Sequence, residues 1–272
     1  MNRLPLHVVG PRWMADDLGG VHDYGFDVPD SPADFWCSGA HYASLRASGF
    51  DITFSTPGGM IPLVDSPWRT GVAVRSLADV LDDPPPGPVF SKLNDLKMTS
   101  FIARVRSMSE LVRDLEELSE STLIRNPQSL PIALAEPLDL SRSMEVRCFV
   151  LDDLLVSACP YSDGRGDMGR GLDGLIDDEH LFDLSGIVDE FVASVPELPR
   201  AFVIDFAFIS GRWVPLETNP ASSSSWYCDR PPADVAKAIR AGQHDGDHCA
   251  WTDPVDHLVR LPLISERLPV RP

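Results

Sequence analysis

The sequence predicts an α+β protein of two α+β subdomains behind a small α/β segment. Three observations carry this. Residues 144–160 and 202–219 read as hairpins, residues 109–120 and 177–195 repeat apolar side chains at helical spacing, and a proline-rich stretch separates them from the leading segment. Consecutive prolines suppress both helix and internal strand, so Asp82–Pro88 is a boundary. The expected divisions are 1–88, 89–140, 141–230, and a C-terminal helix with an extended tail over 231–272.

Composition narrows the function classes. The chain has 272 residues, enough to bury a substantial core, and 43% hydrophobic with 24% charged residues is ordinary for a globular protein. A net charge of −18 argues against a general nucleic-acid or anionic-membrane binder, while leaving room for a local basic cleft. No apolar run approaches the roughly 18 residues needed to span a bilayer. Five cysteines without a CxxC pair, and no leader pattern, predict reduced thiols in a cytoplasmic protein. Cys148 and Cys159 read as small core residues in apolar runs.

In the leading segment, Leu6–Val9 is a strand and Asp30–Ser48 has helix-start chemistry near Ser31-Pro32. Asp51–Phe54 is a further strand, Thr56–Gly59 a turn and Ser76–Leu81 a short helix. After the break, Val89–Lys92 is a strand ending in a lysine, followed by a polar loop with Lys97 and a strand over Phe101–Val105. Ser107 or Ser109 can cap the next helix, with Glu110 in its first turn and Leu111, Leu115 and Leu118 as its stripe. Pro131–Glu136 reads as a buried strand, and Pro137 pushes Glu136 to extended geometry. The 144–160 hairpin turns at Asp152-Asp153, with Glu145 and Arg147 on one face and Val146, Cys148 and Val150 on the other.

Gly164-x-Gly166-x-x-Gly169 has the form of a dinucleotide fingerprint, but its charged, glycine-punctuated surroundings lack the helix that motif must open, so it reads as a surface loop. The helix of 177–195 repeats Leu181, Leu184, Val188, Phe191, Val192 and Val195. Ala233–Ala241 is a short helix, and His244, Asp245, Asp247, His248 and Cys249 form a loop cluster with no scaffold to make them ligands.

The hairpin of Phe202–Asn219 carries the chemistry. Phe202, Ile204, Phe206 and Phe208 take one face, leaving Asp205 as a lone carboxylate among apolar residues on the other. Its partner strand ends in Glu217-Thr218-Asn219, and three oxygen donors at Asp205, Glu217 and Asn219 suit a hard cation such as Mg²⁺. Register decides. A two-residue turn at Ser210-Gly211 sets Asp205 opposite Leu216, whereas a three-residue turn sets it opposite Glu217.

The ordered set Phe90-Ser91-Lys92 with Lys97, Glu145-Val-Arg147-Cys-Phe-Val150, Pro160-Tyr161, and Asp205 with Glu217-Thr218-Asn219-Pro220 resembles the ATP-grasp superfamily over about 89–227. Within it, the chain looks most like the branch named for a conserved arginine and paired lysines. The resemblance implies an ATP–Mg²⁺ site clamped between two α+β subdomains. Lys92 would neutralise the α/β-phosphates, Lys97 close over them, and Glu136, Pro137 and Leu138 form the adenine and ribose hinge. Glu145 would lie in the nucleotide site, Arg147 would hold the γ-phosphate, and Asp205, Glu217 and Asn219 would bind the metal. Lys97 and Arg147 are the implied catalytic pair. The Lys92–Lys97 loop lacks the glycines common in such loops. The implied reaction is ADP-forming ligation of a carboxylate, on a small molecule or peptide, to an amine or thiol through an acyl phosphate. A phosphate-transferring kinase or a nucleotide-binding module without turnover are the alternatives, and neither nucleic acid nor membrane is a partner.

Overall fold

The computed structural model describes residues 4–9, 12–23, 33–37, 42, 45, 55–94, 101–121, 124–165, 167, 169, 171–228 and 233–243. Strand β1 (Leu6–Val9) pairs in parallel with β2 (Val21–Asp23) and β3 (Asp34–Trp36), with helix α1 (Arg12–Leu18) joining β1 to β2. The helix expected across 30–48 is corrected here, because Asp34–Trp36 is a strand and helix is described only at Tyr42 and Leu45. Distant partners override the local pattern. Phe35 donates its N–H to Gln243 (2.5 Å), and the Trp36 indole N–H donates to the Ser224 carbonyl (2.9 Å). The expected strand at 51–54, the 244–249 cluster and the tail from 261 lie outside the described residues.

Two antiparallel four-stranded sheets follow. The first contains β4 (Ala73–Ser76), β5 (Val89–Leu93), β6 (Arg104–Arg106) and β7 (Pro131–Ala135) in the order β4-β7-β5-β6. Its helices are α2 (Leu77–Asp82), capped by Ser76, and α3 (Met108–Ser119). A capping box closes the start of α3, with the Glu110 N–H donating to the Ser107 hydroxyl and the Ser107 N–H to the Glu110 carboxylate. Leu111, Leu115 and Leu118 are buried against Leu77, Val80 and Ile132, as the helical repeat requires. Strand β4 precedes the prolines and β5 follows them, so this sheet crosses the boundary expected at 88.

The second sheet holds β8 (Met144–Leu151), β9 (Leu154–Ser162), β10 (Ala201–Ile209) and β11 (Arg212–Pro220) in the order β11-β10-β8-β9. The Asp152-Asp153 turn between β8 and β9 places both residues at positive φ. One face of this sheet, through Val146, Cys148, Phe202, Ile204 and Phe206, packs on helix α4 (Asp178–Ser194) at Leu184, Val188 and Phe191. Burying each of these phenylalanines stabilises the fold by roughly 2 kcal/mol. Ala133 and Ala135 of the first sheet share this core and join the two sheets. The opposite face buries Phe149, Ala201 and Val203 against α5 (Ala233–Ala241), α1 and β1. Beyond these apolar residues the same face carries the polar side chains discussed below.

Cys159 is bonded to Cys228 across 69 residues, which corrects the expectation of reduced thiols. Nothing local to either cysteine signals the bond, because the two meet only when the chain after β11 folds back over β9. Cys37 and Cys148 are buried free thiols, and burial pushes Cys37 up to about 12. Among the described residues no helix is long and apolar enough to cross a membrane.

Candidate functional site

The β10–β11 turn is the two-residue Ser210-Gly211, with both residues at positive φ (52° and 78°) as the twist of a tight hairpin demands. That turn alone would oppose Asp205 and Leu216. A β-bulge intervenes. Phe206 pairs with Pro215, Leu216 is extra, and Asp205 pairs with Glu217. Pro215 has no N–H to give the ladder, and β11 is an edge strand, which is where a proline and a bulge are tolerated. The pairing expected of a three-residue turn is thus reached by another route.

Around that pairing the polar side chains interlock. Arg147 on β8 lies opposite Asp205 and donates to both its oxygens, from Nε at 2.8 Å and Nη2 at 2.7 Å. A third bond runs from Arg147 Nη1 to the Ser225 carbonyl at 3.1 Å. Asn219 Nδ2 donates to Glu217 Oε1 (3.0 Å) and Asp205 Oδ2 (3.3 Å), and Lys92 on β5 pairs with the other Glu217 oxygen. The guanidinium of Arg147 also stands near the rings of Tyr227 (5.2 Å) and Tyr161 (5.8 Å).

Electrostatics follow from burial. Arg147 is 8% and Asp205 2% exposed. Burial works against the Arg147 charge, but the Asp205 carboxylate outweighs it and holds the group above its ordinary range. Glu145 is raised, first by burial and further by the charges of Asp205 and Glu217, while hydrogen bonds from Tyr161 and Ser162 oppose the shift. The Tyr161 phenol, raised by burial and these carboxylates, donates to Glu145 Oε2 at 2.8 Å.

Beside the cluster opens a cleft of about 350 Å³ between the sheets, walled by Phe90, Val105, Leu138, Leu140 and Leu216, with Glu145, Tyr161 and Glu217 at its polar end. Such an apolar slot with a few convergent polar groups suits a planar heterocycle with charge at one end.

Lys92, Glu145, Arg147, Asp205, Glu217 and Asn219 therefore come together. Of the expected hinge, Leu138 lines the cleft, while Glu136 and Pro137 are exposed and the Glu136 carboxylate accepts from the Thr70 hydroxyl at 3.3 Å. Lys97 lies outside the described residues. The Gly164–Gly169 stretch follows β9, where the Gly169 N–H donates to the Tyr161 carbonyl, and does not open a helix. Among the described residues no three His, Cys, Asp or Glu side chains gather as a metal centre, so the oxygen set is two carboxylates and an amide. It fits a hard cation when the Asn219 amide turns its oxygen inward and Lys92 moves off Glu217 to an anion.

Sequence reasoning missed Arg69, 7% exposed in the cleft wall and pushed down to about 10 by burial, with the nearby Glu217 charge opposing that shift. Nothing in the local text Ser66–Gly71 marks it. The bulge did have a signal, a proline inside a strand.

No curated protein matches the chain. Among solved structures it is similar to C-terminally truncated Cdc123 from Schizosaccharomyces pombe, with a TM-score of 0.39 and 17% identity over 57% of this chain and 78% of that one. It is similar to the ATP-grasp ligase PsnB complexed with minimal precursor, Mg and ADP (TM-score 0.39, 18% identity), covering 67% of this chain and little more than half, 56%, of PsnB. D-cycloserine synthetase DcsG is similar at a TM-score of 0.40 and 12% identity, over 66% of this chain and 67% of that one. Residues 68–241 match an ATP-grasp domain family, the third of the clade named for one arginine and two lysines, and with that match extending over more than half of its length the chain belongs to this family.

Proposed function

We propose that the protein is an ATP- and Mg²⁺-dependent ligase that joins a carboxylate, on a small molecule or peptide, to an amine or thiol and releases ADP and phosphate. The observation that carries this reading is the interlocked set of Lys92, Arg147, Asp205, Glu217 and Asn219 at the polar end of an apolar cleft between two sheets. Phosphoryl transfer asks a protein for positioning and for positive charge around the transferring group rather than for a covalent nucleophile.

In this reading Phe90, Leu138 and Leu140 receive the base, and Lys92 swings from Glu217 to the α/β-phosphates. Lys97 closes over the phosphates from its loop. Asp205, Glu217 and Asn219 would hold the cation, which when bound supplies positive charge at the phosphate oxygens. Arg147 commits three of its five N–H groups to Asp205 and Ser225, so its plane is fixed while the remaining two point to the transferred phosphoryl group. A carboxylate oxygen of the substrate attacks the γ-phosphorus, the bond to the β-phosphate oxygen breaks and ADP leaves. The nucleophile then attacks the acyl carbon, phosphate departs with one oxygen of the original carboxylate, and the nucleophile's proton passes to solvent.

A panel of amino acids and short peptides, incubated with ATP, Mg²⁺ and hydroxylamine, tests the proposal. Hydroxamate formation matched by ADP release is expected for at least one carboxylate. ADP release with a stable phosphorylated acceptor and no hydroxamate would replace ligation by phosphate transfer.

A further inference from the structure

Arg69 lies on the segment before β4, yet its bonds run to β11. Its Nη1 donates to the carbonyl of Leu216 at 2.6 Å and approaches that of Pro215 at 3.4 Å, the two residues of the bulge. A bulged residue leaves the ladder, so its carbonyl needs another partner, and a buried guanidinium supplies one. The same segment grips the next residue. The Gly59 carbonyl accepts from both the N–H (2.9 Å) and the hydroxyl (2.6 Å) of Thr218, which lies between Glu217 and Asn219.

The other end of this strap is held as firmly. Gly59, at φ +64°, sits so close to Asn94 that a Cβ there would come within 2.6 Å of the Asn94 carbonyl oxygen. The Asn94 side chain accepts from the Met60 N–H (2.9 Å) and donates to the Gly58 carbonyl (3.0 Å). Asn94 follows Lys92 by two residues. Residues 58–69 thus connect the strand that presents Lys92 to the bulge that turns Glu217 toward it.

We propose that Arg69 is a positioning residue of the nucleotide–metal site: by holding the bulge carbonyls it fixes the register that sets Glu217 opposite Asp205, without itself touching the nucleotide. The inference rests on the reading of Asp205, Glu217 and Asn219 as the cation's ligands. A one-residue slip of β11 would send Glu217 to the other face. Groups that orient metal ligands typically alter metal affinity about 10- to 100-fold when removed.

The test compares wild type with Arg69→Met and Arg69→Lys, by ATP titration with and without Mg²⁺ and by amide hydrogen exchange along β11 in the free protein. For Arg69→Met, metal-free ATP binding should stay within about twofold of wild type, while the gain from Mg²⁺ falls about tenfold or more. Exchange at 216–219 should quicken. Arg69→Lys keeps one donor for the Leu216 carbonyl and should recover part of both, and it carries the comparison if Arg69→Met does not fold. Equal loss of ATP binding with and without Mg²⁺, or unchanged Mg²⁺ dependence and exchange, overturns the inference. Wild type that shows no Mg²⁺-dependent ATP binding refutes the ligase reading instead; β11 exchange then still decides whether Arg69 sets the register, unchanged exchange overturning that role.

Discussion

Asp205 and Glu217 face each other across a hairpin whose two-residue turn would otherwise have set Asp205 against Leu216. The bulge absorbs the extra residue, and each carboxylate then meets a cation from a different strand, Arg147 on β8 and Lys92 on β5. The two sheets are consequently tied through charge as well as through the shared apolar core. Each pair makes a separate prediction.

Lys92 is 7% exposed, so Glu217→Gln leaves a buried ammonium without its counter-charge. Breaking a buried pair costs about 3–5 kcal/mol, and the partial exposure of Glu217 puts the loss near the lower end. Urea denaturation should show it. The double variant Lys92→Met/Glu217→Gln should lose less than the sum of the single changes.

Asp205→Asn should cost more than Glu217→Gln, because Arg147 and Asp205 are both nearly excluded from water and joined by two hydrogen bonds. Arg147→Lys does not repair the geometry, since an ammonium cannot make the planar double contact. Thermal melts of the three variants should rank Asp205→Asn lowest.

Glu145 gives a pH dependence. Its folded-state pKa is raised above the ordinary 4.5 by burial and the neighbouring carboxylates. The folded protein therefore holds this proton more tightly than the unfolded chain does. The stability that this adds is fully present below about pH 4.5 and is lost as pH rises through the raised value. Denaturation midpoints of wild type and Glu145→Gln, compared across pH, should show the variant gaining on wild type from acid toward neutral pH. An unchanging difference would contradict the assignment.

The Cys159–Cys228 bond anchors the loop that brings the Ser225 carbonyl and Tyr227 to Arg147. Alkylation of the denatured chain without reductant should label two fewer cysteines than after reduction. Cys228→Ser should lower stability by about 2–4 kcal/mol through the freed loop. Equal labelling in both samples would show the thiols to be reduced.

Local chemistry was readable in the sequence where it was also decisive. Ser107 and Glu110 announce the capping box, Asp152-Asp153 the turn, and the alternation of Phe202, Ile204 and Phe206 the buried face. The parts that escaped are those set by distant contacts. Phe35 and Trp36 became a strand because Gln243 and Ser224 meet them there. Cys159 found Cys228, and Arg69 found the bulge, through folding that brings remote segments together. In the candidate site the residue types and their faces were legible, and the register was left between two turns. The bulge settled it by a third route.

Membership of Glu217 in a metal-dependent nucleotide site is open to a single decisive titration. ATP is titrated calorimetrically into wild type and Glu217→Ala, with and without Mg²⁺. Mg²⁺-enhanced binding is expected in wild type and should be largely lost in the variant, with the variant still folded by circular dichroism. ATP binding that ignores Mg²⁺, or that survives unchanged in folded Glu217→Ala, would contradict the role assigned to Glu217.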